Sequence, residues 1–86
     1  MIEVEIYAPG IRTESAMMQL RNQMDHFPRV RYKVDARHDV VYFEIDRPGD
    51  VNQQELHQIF DAIDITPRFV GQIPEELRSG HTSRLT

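Results

Sequence analysis

The chain has 86 residues, enough for one core and no second domain. Its 28% charged and 40% hydrophobic residues suit a globular rather than a disordered chain, and a net charge of −4 argues against nucleic-acid or anionic-membrane binding, which needs a positive field. With no cysteine there is no disulfide or thiolate site, and no apolar run or N-terminal h-region points to a membrane or to export, so the expected compartment is the cytoplasm.

Residues 2–7 alternate: Ile2, Val4 and Ile6 face one way, Glu3, Glu5 and Tyr7 the other. That period of two predicts a strand with one buried face. Ala8-Pro9-Gly10 ends it, because proline lacks a ladder donor and glycine permits a sharp turn. Thr13 is the expected N-cap of a first helix, with Glu14 complementing the dipole. Met17, Leu20, Met24 and Phe27 form the expected buried stripe, and Pro28 is the expected stop.

Val30, Tyr32 and Val34 alternate with Arg31, Lys33 and Asp35 in a second strand. A short polar hairpin through residue 39 leads to a third, in which Val41, Phe43 and Ile45 alternate with Val40, Tyr42 and Glu44. Arg47-Pro48-Gly49-Asp50 is turn chemistry. Two capping boxes compete for the start of the second helix, Asp50 with Gln53 and Asn52 with Glu55. Leu56, Ile59, Phe60 and Ile63 follow the i, i+3, i+4, i+7 pattern. A short strand over 68–72 follows with Phe69 inward, and 73–86 reads as a polar tail with at most one helical turn.

Strand, helix, strand, hairpin, strand, helix, strand is the split βαβ order of a ferredoxin-like βαββαβ sandwich over residues 1–72. Right-handed crossovers place both helices on one face of the antiparallel sheet.

The loop Pro9-Gly10-Ile11-Arg12-Thr13-Glu14-Ser15-Ala16-Met17 resembles the Gly-Met-x-Cys-x-x-Cys segment of heavy-metal-associated domains, the small copper chaperones and the N-terminal modules of metal-pumping ATPases. Gly10 stands at the family glycine, Ile11 at the methionine, Thr13 at the first cysteine and Ala16 at the second. The resemblance covers roughly 1–72, and Asp64-Ile65 replaces the family's usual Gly-Tyr. It implies the fold and a metal site that is degenerate here: soft ions need thiolates, which threonine and alanine cannot supply. The expectation is a non-enzymatic binding or self-assembly module with no cofactor.

The alternatives rest on thinner patterns. His26, His38, His57 and His81 are scattered, and the tightest set of candidate ligands is Asp35, His38 and Asp39 in the hairpin. A solvated turn is the expectation there, with a metal site of non-cysteine ligands as the alternative. No Ser–His–Asp order or Gly-rich phosphate loop suggests catalysis. Tyr7, Val40 and Tyr42 share the uncovered sheet face. Aromatics on the first and third strands suit RNA stacking, but nothing resembles the RNP1 sequence and acids flank the tyrosines. A protein partner suits that face better, with tyrosines that simply shield the sheet as the equal alternative; for the domain as a whole the partner expected is another protein or a homo-oligomer. Pro9-Gly10 is also compatible with an ACT-like small-molecule regulatory domain, which shares this topology.

Overall fold

A computed structural model describes residues 1–78. Four strands, β1 (Ile2–Tyr7), β2 (Val30–Asp35), β3 (Val40–Ile45) and β4 (Arg68–Phe69), and two helices, α1 (Glu14–Met24) and α2 (Gln53–Asp61), follow in the order β1-α1-β2-β3-α2-β4. The sheet runs β2-β3-β1-β4 with every neighbouring pair antiparallel. This is the ferredoxin-like arrangement. β4 has only two residues, although Val70 still donates to the Glu5 carbonyl at 2.9 Å.

The alternation within each strand decides which face is covered. Val4, Ile6, Val30, Val41, Phe43 and Ile45 join Ala16, Leu20 and Met24 of α1 and Leu56, Ile59 and Phe60 of α2 in one core. Phe43 and Phe60 meet edge to face, 6.1 Å between ring centres, the geometry that ring quadrupoles favour. Between those residues lie Glu3, Glu5, Tyr7, Arg31, Lys33 and Tyr42, all exposed on the face opposite α1 and α2.

Two local expectations change and one open alternative is settled. The buried stripe of α1 is Ala16, Leu20 and Met24, while Met17 is only half-buried. The helix begins one residue after Thr13, so a spacing of four from Ala16 tracks the side that meets the sheet. It ends at Met24, before Pro28 can act, with Asp25 as its C-cap. The second-helix cap is Asn52, whose side chain accepts from Glu55 N while the Glu55 carboxylate accepts from Asn52 N, at 2.8 and 3.0 Å. Asp50 instead accepts from Arg47 N and closes a 3₁₀ turn over Pro48–Asp50.

The packed unit also extends past residue 72. Glu75–Leu77 form the single helical turn expected there, and Leu77 is fully buried. Residues 79–86, including His81, lie outside the described residues.

α2 closes with a Schellman arrangement: Ile65 N–H donates to Phe60 O and Asp64 N–H to Asp61 O, at 3.0 and 3.1 Å. Asp64 sits at the left-handed position with φ 64°, where a Cβ is penalised and a carboxylate faces the negative end of the helix dipole. Asp64→Gly is therefore expected to stabilise the domain by about 1 kcal/mol, a rise in Tm of roughly 4–8 °C for a chain this short. Asp64→Val, in the same thermal melts, is expected to lower Tm. An unchanged or lower Tm for the glycine variant would count against this account of the turn.

Candidate functional site

The loop between β1 and α1 is built around Gly10. Its φ of 101° belongs to the left-handed region, whereas an added Cβ would meet Ile65 only at 3.9 Å, an ordinary contact. Backbone conformation, not space, therefore requires glycine here. Ile11 is fully buried, and its N–H donates to Ala8 O at 3.0 Å. Thr13 is the N-cap: its Oγ1 accepts from Ala16 N at 3.1 Å and donates to Gly10 O at 3.4 Å. Ala16 is buried in the core. Thr13 and Ala16 are thus committed to capping and to packing.

The β2–β3 hairpin lies beside this loop. Ala8 N–H donates to Asp39 O at 2.7 Å. Arg12 grips the Asp39 carboxylate with both Nε and Nη2, each at 3.1 Å, and this fork keeps the guanidinium charged. Asp39 reaches its position through a φ of 58°, which aspartate tolerates better than most residues. The proposed ligand trio consequently splits. His38 Nδ1 contacts Asp35 Oδ2 at 2.9 Å, and that hydrogen bond holds the Asp35 carboxyl below the usual carboxylate value, whereas Asp39 turns to Arg12. Among the described residues, no three His, Asp or Glu side chains gather as a metal site.

On the uncovered face the strand register sorts the side chains into rows running from β2 to β4. Arg31, Glu44 and Glu3 form one; Lys33, Tyr42 and Glu5 the next, with Val70 beside Glu5; Asp35, Val40, Tyr7 and Arg68 the third. A shallow trough of about 900 Å³ runs over the first two rows, lined by residues that include Glu3, Glu5, Lys33 and Tyr42. Tyr7 and Tyr42 lie diagonally across β1 and β3, 38% and 37% exposed, and Val70 adds a third apolar side chain at 48%. Val40 is half-buried between them.

Ion pairing across this face is partial. Arg31 binds Glu44 at 3.1 Å and Asp46 at 3.0 Å, and the Asp46 carboxyl is lowered by this contact. Glu3, Glu5, Lys33 and Arg68 make no ion pair with any described residue. Sequence patterning found the face and its tyrosines. It missed Asp46 and the Arg12–Asp39 fork, because a contact across 27 residues leaves no local periodicity.

Searched against protein-family models and against curated proteins, the chain matches none. No helix among the described residues is long and apolar enough to cross a membrane.

Proposed function

We propose that this domain is a non-enzymatic binding or self-assembly module, a cysteine-less relative of heavy-metal-associated domains, which works through the open face of its sheet in the cytoplasm. The observation that carries this reading is that Tyr7, Tyr42 and Val70 are large and exposed on the sheet face opposite α1 and α2. Aromatic side chains bring much apolar area to an interface at small entropic cost and keep a polar tip for its rim. The occupied roles of Thr13, the cap of α1, and Ala16, in its first turn, support the loss of metal carriage.

The test is calorimetric titration of the full chain, without tag at neutral pH, with Cu(I), Zn(II) and Ni(II). The expected result is no stoichiometric binding. Submicromolar 1:1 binding would overturn the reading in favour of a metal protein with histidine, carboxylate or methionine ligands, and loss of that affinity in His38→Ala would place the ligand in the hairpin. A thermal shift caused by an amino acid would instead favour the ACT-like regulatory domain, since a ligand that binds only the folded state raises Tm.

A further inference from the structure

The third row of the open face has a property that the other two lack. Read from β2 to β4 it is Asp35, Val40, Tyr7, Arg68: an anion, two apolar side chains and a cation. Consider two copies facing each other about a two-fold axis parallel to the strands, midway between β3 and β1. That operation sets β2 of one copy over β4 of the other, and β3 over β1. Asp35 then meets Arg68, Val40 meets Tyr7, and the symmetry repeats both contacts. In the second row Tyr42 meets Glu5, and the phenol can donate to the carboxylate, while Lys33 falls over the exposed Val70 beside Glu5. The first row sets Glu44 over Glu3, but Glu44 is held by Arg31 and β4 does not reach that end of the sheet. A two-fold axis across the strands is a poorer solution, since it stacks Lys33 and Glu5 each on its own copy. Self-complementarity of this kind is what an isologous dimer interface requires.

We propose that the occupant of the open face is a second copy of this chain, packed sheet to sheet with Arg68 of each protomer against Asp35 of its partner. This deepens the binding-module reading and rests on it. Arg68 makes no ion pair with any described residue, and the Asp35 carboxylate, whose Oδ2 meets His38 Nδ1, keeps 30% of its side chain exposed. Aligned sheets pack about 10 Å apart at roughly −30°, a distance that tyrosines bridge. Four strands about 4.8 Å apart and six residues rising about 3.4 Å each give a footprint of roughly 19 by 20 Å. That is smaller than the standard interface of about 800 Å² a side, so the dimer is expected to be weak and concentration-dependent, with Kd between about 1 µM and 1 mM.

Sedimentation velocity of the full chain over that concentration range tests the proposal. Monomer should give way to dimer, and Arg68→Asp or Asp35→Arg alone should weaken dimerisation at least tenfold by opposing like charges twice. The double variant should recover most of the loss. Circular dichroism and melting of each variant confirm that the fold persists, and rescue in the double variant excludes simple misfolding. A chain that stays monomeric throughout, or a dimer indifferent to both reversals, overturns the proposal. A monomer that also binds no metal leaves the binding-module reading standing with a different protein partner, whereas tight metal binding removes that reading whatever the oligomeric state.

Discussion

Replacing Phe60 by alanine is expected to cost about 3–5 kcal/mol, the range for deleting a buried aromatic. Phe60 is fully buried on the sheet-facing side of α2, packs edge to face on Phe43 of the central strand β3, and supplies the carbonyl that anchors the Schellman turn. The backbone carbonyl survives the substitution; the ring, its contacts and the filled volume do not. For 86 residues at about 0.05–0.15 kcal/mol each, total stability is roughly 4–13 kcal/mol. The variant therefore loses about a quarter of that or more. Urea unfolding should show a clearly lower midpoint with an unchanged slope, since the surface exposed on unfolding stays nearly the same. A midpoint within experimental error of the parent chain would mean that α2 does not seat on the sheet as described.

Leu77→Ala is expected to cost about 2–5 kcal/mol, and it tests where the folded unit stops. If the chain beyond residue 72 were a solvated tail, this change would cost no more than about 0.5 kcal/mol, as surface substitutions do. Leu77 is instead fully buried in the common core, with Ile73 half-buried against the same cluster. Met18→Ala is the matched control: its side chain is 62% exposed on α1, so the midpoint should barely move. Equal small effects from both substitutions would restore the boundary at residue 72.

The two predictions concern residues of opposite legibility. Phe60 lies in a helical stripe with Leu56 and Ile59, a pattern visible within eight residues of sequence. Leu77 stands alone in a polar stretch, and nothing near it repeats. The same contrast runs through the core. Val4, Ile6, Val41, Phe43 and Ile45 announce themselves by alternation, whereas Ala8, Ile11, Val51 and Ile65 are just as buried but lie outside regular elements. Their burial depends on which loops the topology stacks over the helix layer and its ends, and periodicity carries no record of that.

The candidate site divides along the same line. The loop resemblance picked out Gly10, Thr13 and Ala16, and Thr13 was legible as a cap because a side-chain oxygen before a helix has one characteristic use. That Asp39 belongs to Arg12 rather than to Asp35 and His38 was not, since the three hairpin residues are neighbours in sequence and their partner is not.

By itself the sequence determined the order and type of the elements, the single buried face of the sheet and the absence of thiols, because these follow from short-range alternation, helical spacing and composition. Only the tertiary structure decided the length of β4, the burial of Leu77, the splitting of the hairpin carboxylates and the row that sets Asp35 in line with Arg68. Each of these depends on strand register and loop stacking, and register is settled by how whole elements bury their apolar faces against one another.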